Sequence, residues 1–491
     1  MRHLLLICLF LSISISLIAQ TAQSVTNLKT TIKSVNSYSG MKSGSWTFCV
    51  LDAKTGRLIA EFNKDKALAT ASTMKAVTTS TALAKLGENY TYRTVLEHDG
   101  TVTNGVLRGN LYIKGSGDPS LGSDRFGEAY SMENILLTWV DKIKEKGITR
   151  IEGKIIGDAR AFATQITPPK WTWEDIGNYY GAGACGLIMN ENKYRLDLVP
   201  GKKVGDPTTV MRTLPEVDVK FVNEIKTAGA GTGDNAYIYG VPYMDVRYLR
   251  GTIPAGRSVF SIKGSIPDPA VFCAKSLMDK LQTCGVSVGG GYSSIRKEMI
   301  EGRYSYSNRS RIYTHVSPPL KDIVYWTNLK SVNIFAEALL NTIGKEKHAD
   351  GSTEGGLYAI DSHWKGKGVD TKGMLIRDGS GLSPNNAMSS YHLASILAKT
   401  YNASYFQSFY NSLPIAAQSG SLKNICQGTA AAGKVRAKSG YLSGVRGYAG
   451  YAKTKSGQML AFAVMVNNYT GSPFSMKKQL AKLMVSMAAM R

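Results

Sequence analysis

The tetrad Ser-x-x-Lys begins at Ser39, Ser72, Ser294, Ser362 and Ser475. A serine and a lysine three apart on a helix share a face, one turn from each other. In that geometry an amine can take the proton from a hydroxyl nucleophile without a histidine. Any one tetrad reads more simply as a solvated Ser and Lys, so order and partners must single one out. Ser72-Thr73-Met74-Lys75 lies at the start of a stretch free of Gly and Pro that runs from Ala71 to Leu86 and stops at Gly87. The spacing predicts a helix there, and the free N–H groups of a helix start suit an oxyanion. Ser72 is the candidate nucleophile and Lys75 its base.

Two further patterns follow in order, Ser331-Val332-Asn333 and Lys438-Ser439-Gly440. Each also occurs elsewhere. Ser-x-Asn recurs at Ser34 and Ser383, and Lys-Ser/Thr-Gly recurs at Lys42, Lys54 and Lys455. Context removes the copies. Lys54-Thr55-Gly56 and Lys455-Ser456-Gly457 read as tight turns, where a glycine needs no catalytic explanation. Lys42 precedes the first strand, and Ser34 falls in an N-terminal tail. Ser331 stands at a junction of two helices, and Lys438 opens a strand.

The elements that must position these residues follow from the patterning. Ser45 to Leu51 alternates toward Trp46, Phe48 and Val50, turns at 52–56 and returns from Arg57 to Phe62, a β-hairpin. Short strands and Gly-rich turns fill the stretch from about Tyr92 to Pro267, with a helix from Met132 to Lys146. Helices from Leu320 to Lys330 and Val332 to Ile343 follow, the second ending at Gly344. Strands return after Ala437: Lys438 to Leu442, Gly447 to Lys453 and Met459 to Val466. An amphipathic helix from Pro473 to Met490 closes the chain, its Met476, Leu480, Leu483, Met484 and Met487 stripe suited to packing on the core. The two ends thus join in one antiparallel sheet flanked by helices, an α+β architecture with a large, mostly-β insertion. The expected division is an export signal at 1–22, a discontinuous catalytic domain at 23–94 and 266–491, and an inserted accessory domain at 95–265.

Bulk properties bound the function. Met1-Arg2-His3, the apolar run Leu4–Ala19 and the small and polar residues after it read as a secretory signal, with no integral membrane span expected later. Net charge is +23, from 59 Lys+Arg against 36 Asp+Glu. Export makes nucleic acid an improbable partner, and the lysines are scattered. An anionic envelope or an acidic substrate explains the surplus better, although a solubilising surface also fits. Cys49, Cys185, Cys273, Cys284 and Cys426 form no metal spacing and read mostly as small buried residues. Cys273 and Cys284 share one predicted helix, too far apart for a disulfide. The histidines are isolated, so no metal or other cofactor is implied. Gly181-x-Gly183-x-x-Gly186 fits a dinucleotide fingerprint, but no strand precedes it and no acid stands about twenty residues on, so it reads as a turn. No Gly-x-Ser-x-Gly elbow is present, which excludes an α/β-hydrolase.

In order and setting, the three patterns resemble those of the penicillin-recognising serine enzymes. Ser439 stands where the pattern is usually written with Thr and keeps the hydroxyl. More than half the chain separates Ser72 from Ser331, far longer than in β-lactamases of similar design. That long insertion resembles the D-alanyl-D-alanine carboxypeptidase/endopeptidase family, the class C low-molecular-mass penicillin-binding proteins. Gly115 to Leu121, Gly181 to Leu187 with Asn190-Glu191-Asn192, Asp378 to Ser383, Leu413 to Ala416 and Gly447 to Tyr451 resemble it too. The likeness spans about 45 to 470.

The resemblance implies an exported, periplasmic serine-type D-Ala-D-Ala carboxypeptidase, also an endopeptidase candidate, acting on peptidoglycan stem peptides and acylated by β-lactams. It implies that Ser72 forms the acyl-enzyme, that Lys75 accepts the proton as a neutral amine, and that Ser331 passes it to the leaving amine. Asn333 would hold the substrate amide. Lys438 and Ser439 would bind the terminal carboxylate, and Gly440 would leave room for the substrate backbone. The N–H groups of Ser72 and Tyr441 would form the oxyanion hole. Asp175 is a weaker candidate for a stem-peptide amine, a capping or surface role being the alternative. A β-lactamase and a non-catalytic β-lactam or muropeptide receptor are the competing readings.

Overall fold

The strand Ser45–Asp52 explains why the chain needs both of its ends. Its Trp46, Phe48 and Val50 pack in one core cluster, while Thr47, Cys49 and Leu51 on the other face are buried as well. A strand covered on both faces must lie inside a sheet with layers on either side. The computed structural model, which describes residues 23–491, shows this arrangement. The predicted export signal at 1–22 lies outside the described residues.

The described residues divide into two compact units. The first holds the residues up to Ala84, Val324–Ser331 and Ile360–Arg491. Its centre is a five-stranded sheet in the order Leu58–Phe62, Ser45–Asp52, Met459–Asn467, Val445–Lys453, Val435–Leu442, antiparallel throughout. Phe48 faces Val464 and Val50 faces Phe462 across the ladder, so large apolar side chains share one face. The helix Pro473–Ala488 covers that face with Met476, Leu480, Leu483, Met484 and Met487, as its stripe predicts. Residues 23–36 are helical rather than a tail, and add Leu28, Ile32 and Val35 to the same core. The opposite face carries small residues, among them Ala449, Ala461 and Ala463, and receives the helix Ser390–Tyr401. Thr47 and Ser390 share a hydrogen bond of 2.6 Å there, and Tyr451 Oη donates to Leu397 O at 2.8 Å.

The second unit comprises Lys85–Ile323 and Val332–Ala359. It is rich in short strands. A mixed five-stranded sheet runs in the order Tyr292–Ser294, Ile155–Asp158, Leu111–Lys114, Arg93–His98, Ser310–Val316, and three smaller sheets accompany it. The helices Met132–Glu145 and Pro269–Thr283 bury Trp139, Ile143, Cys273 and Leu277 in its main core.

The helix predicted to stop at Gly344 runs on, from Asn333 to His348. A Cβ on Gly344 would lie 2.5 Å from Asp350 O and 2.6 Å from Gly356 N, so the glycine is there for a close backbone approach rather than as a stop. Cys49, Cys185, Cys273 and Cys426 are buried and Cys284 half-buried, all with free thiols. Among the described residues no helix is long and apolar enough to cross a membrane.

Candidate active site

Ser72 lies in a single 3-10 turn, Ala71–Thr73, which leads into the helix Met74–Leu86. The turn is held from several sides. Thr73 Oγ1 donates to Thr70 O at 2.6 Å, and Ala71 adopts a positive φ of 43°. Such a backbone in a residue with a Cβ persists only where its surroundings enforce it. Part of that enforcement comes from Gly381 at φ 78°, whose missing Cβ would come within 1.8 Å of Ala71 O. Gly381 belongs to a loop organised by the buried carboxylate of Asp378. Its Oδ1 accepts from Gly381 N at 2.7 Å and Asn386 Nδ2 at 2.8 Å, and its Oδ2 accepts from Ser383 N at 2.6 Å. The same loop supplies Ser380 O, which accepts a hydrogen bond of 2.7 Å from Lys75 Nζ. That amine also donates to Ser72 Oγ at 2.9 Å, and Lys75 is wholly buried while Ser72 remains partly exposed. The helical spacing therefore delivers the predicted hydroxyl–amine pair.

A second pair lies in the same unit. Lys438 Nζ donates to Ser331 Oγ at 3.0 Å and to Ser439 O at 2.8 Å. Ser331 is held at φ 58°, another positive value outside glycine. Strand register explains which way Lys438 points. It sits opposite Ala449, and Gly440 opposite Gly447, on the small-residue face of the sheet. Gly440 is packed against the serine turn itself, since a Cβ there would lie 2.7 Å from Thr70 O and 3.1 Å from Ser72 N. Lys438 is fully buried, and burial first, then the charge of Lys75, push its amine well below the ordinary lysine range. The dependence on Lys75 makes the two amines one electrostatic system.

The remaining candidates are placed as follows. Ser439, on the alternate face of the strand, donates from Oγ to Ser421 Oγ at 2.7 Å. Sequence reasoning passed over Ser421; its one signal was the Ser419-Gly420-Ser421 turn, where Gly420 takes φ 53°. The Tyr441 side chain is exposed, with the Arg446 guanidinium 4.5 Å from its ring centroid. Asn333 belongs to the second unit, where it opens the helix Asn333–His348 and donates from Nδ2 to Tyr180 O at 2.7 Å. Asp175, in that unit too, lies inside the short helix Trp173–Ile176 rather than at its cap, accepts from Thr172 Oγ1 at 2.5 Å, and has its carboxyl pushed up by burial.

Other motifs resolve into local structure. Cβ atoms on Gly181 and Gly186 would meet Asp175 O and Ala159 O at 2.1 Å, so these glycines serve close packing. Gly56 and Gly457 occupy turns at φ 74° and 88°. Ser294 caps the helix Ile295–Ile300 by accepting from Lys297 N. No group of three or more His, Cys, Asp or Glu able to hold a metal ion occurs among the described residues.

Known proteins share this fold. The sequence profile of the D-Ala-D-Ala carboxypeptidase 3 (S13) family matches residues 28–490. A D-alanyl-D-alanine carboxypeptidase of Actinomadura sp. strain R39 is 26% identical over 446 residues, covering 88% of this chain and 79% of that protein. The fold of penicillin binding protein 4 (dacB) from Haemophilus influenzae superposes with a TM-score of 0.77 at 20% identity, over 90% of this chain and 95% of the other. The same protein complexed with a β-lactam gives a TM-score of 0.73 at 19% identity, over 90% and 97%. A peptidoglycan endopeptidase from Bdellovibrio bacteriovorus matches at a TM-score of 0.50 and 17% identity, over 91% and 93%. With its profile matched from end to end of the described fold, the chain belongs to the D-Ala-D-Ala carboxypeptidase 3 (S13) family of serine peptidases.

Proposed function

We propose that this chain removes the terminal D-alanine from peptidoglycan stem peptides through an acyl-enzyme on Ser72. The observation that carries this reading is the 2.9 Å hydrogen bond between the buried Lys75 amine and the accessible Ser72 hydroxyl. Ser72 Oγ attacks the carbonyl carbon of the D-Ala–D-Ala bond and its proton passes to Lys75 as a free amine. The carbonyl oxygen takes the negative charge, met by the N–H groups of Ser72 and Tyr441, each worth a few kcal/mol. When the C–N bond breaks, Ser331 passes the proton that Lys75 took from Ser72 to the leaving nitrogen, which restores Lys75 as a free amine. Water then cleaves the Ser72 ester, releasing the shortened peptide.

Lys438 and Ser439 bind the terminal carboxylate of the substrate in this reading, and Gly440 leaves the strand edge open to its backbone. Asn333 holds the preceding amide in register. Residues 95–265 act as an accessory insertion in the catalytic frame of 23–94 and 266–491. The leader at 1–22 sends the protein to the periplasm, where the wall is both substrate and polyanionic surroundings. Cross-links ending in the same D-alanyl bond are a second substrate, which makes the enzyme an endopeptidase as well, and β-lactams acylate Ser72 as substrate mimics. The test is release of free D-alanine from an N-acylated stem pentapeptide. The wild-type chain should release it and Ser72→Ala should not; release by both would overturn the assignment.

A further inference from the structure

The second unit contains two neighbouring cavities, of about 460 and 280 Å3, whose linings share Tyr243, Asp268 and Arg296. Neither lining includes a residue of the serine site. The smaller cavity is walled mainly by apolar groups, including Phe162, Ala270, Ile295 and Met299. It has the volume of about nine waters, enough for a small molecule.

Most polar groups on its wall already have partners. Arg160 is bound to Asp158 and to Tyr304 Oη, Cys185 Sγ donates to Leu187 O, and Ser294 Oγ accepts from Lys297 N. Two charged groups are different. Arg296 forms no ion pair among the described residues; its guanidinium lies 3.5 Å from the Tyr243 ring centroid. Stacking engages the face of a guanidinium and leaves its N–H edge able to donate. Asp268 caps the helix Pro269–Thr283 by accepting from Val271 N, and Arg296 and Lys297 act on it electrostatically without closing an ion pair. Tyr243, between them, is held at φ 66° while its hydroxyl donates to Thr164 O at 2.6 Å. A bulky aromatic residue in the left-handed region is strained, and such strain clusters at ligand clamps.

We propose that the smaller cavity binds a free amino acid with an apolar side chain. Its carboxylate takes the edge of Arg296, its ammonium takes Asp268, and its side chain fills the apolar chamber. A cation and an anion that make no direct ion-pair contact, beside an apolar volume, complement a zwitterion better than a fatty acid, which would leave Asp268 facing a like charge. The inference does not depend on the reading of the serine site.

Calorimetric titration of the full chain with D-leucine, L-leucine, D-alanine, leucinamide and N-acetyl-leucine tests it. Saturable binding of at least one free amino acid is expected, with the D and L arms reading chirality. Leucinamide and N-acetyl-leucine each lack one charge and should bind at least about tenfold more weakly. Arg296→Gln should lose the same factor. Ala163→Trp, at an exposed position on the rim, should block entry, which keeps the test decisive even if the arginine variant fails to fold. Ser72→Ala should bind unchanged. No saturable heat up to about 10 mM, equal binding of leucinamide, or loss of binding in Ser72→Ala would overturn the proposal.

Discussion

Two buried lysines facing two serines are costly to assemble, and the cost is informative. Lys75 and Lys438 are both removed from water, and the Lys438 amine is held well below its ordinary range by burial and by Lys75. A lysine with a lowered folded-state pKa binds fewer protons in the folded chain than in the unfolded one. Folding stability then rises with pH from that lowered value up to about 10.5, and below this window burying the amine costs stability. Lys438→Met should therefore be no less stable than wild type at pH 7, with any advantage shrinking as pH approaches 10.5; thermal melts across pH read this. Destabilisation by more than about 1 kcal/mol at pH 7 would mean that the lysine is a net structural contributor. The same depressed amine should lose its charge, and with it its hold on a substrate carboxylate, at a lower pH than an ordinary lysine. KM for carboxylate-ended substrates should thus rise on the alkaline side before pH 10.5, while Ser331→Ala should lower kcat roughly 10²–10⁴-fold.

At the scale of elements, the serine turn is held from two directions, by the strand carrying Gly440 and by the loop built on Asp378. Gly381→Ala combines a positive φ with a Cβ 1.8 Å from Ala71 O. It should cost at least about 2 kcal/mol in urea unfolding and slow acylation of Ser72; wild-type values of both would show that the loop does not support the turn. The hairpin, the closing strands and the last helix were legible because period-two and helical patterns report burial directly. The Ser72–Lys75 and Ser331–Lys438 pairs were legible as spaced motifs. Other parts were not. Leu28, Ile32 and Val35 form a helical stripe, but it follows the apolar run from Leu4 to Ala19 so closely that the two merged into an apparent tail. Gly344 looked like a helix stop because sequence shows a missing side chain, not the backbone that needs the space. The Asp378 loop has no periodicity, being organised by backbone N–H groups converging on one carboxylate, and Ser421 meets Ser439 only through tertiary placement.

For the molecule as a whole, the surplus of basic residues is the property least explained by the fold. Under the proposed export to an anionic envelope, a chain of net charge +23 should be concentrated there by long-range attraction. Co-sedimentation with purified cell-wall sacculi should fall steeply as salt is raised from about 0.05 to 0.5 M, over which the screening length shrinks several-fold. Salt-independent retention would assign adhesion to specific contacts instead.

The central claim, that Ser72 is the nucleophile, is tested most directly by intact-mass spectrometry after mixing the mature chain with benzylpenicillin, beside Ser72→Ala. The account predicts a persistent single acyl adduct on the wild type and none on the variant. An unmodified wild type, or an adduct retained by Ser72→Ala, would contradict it.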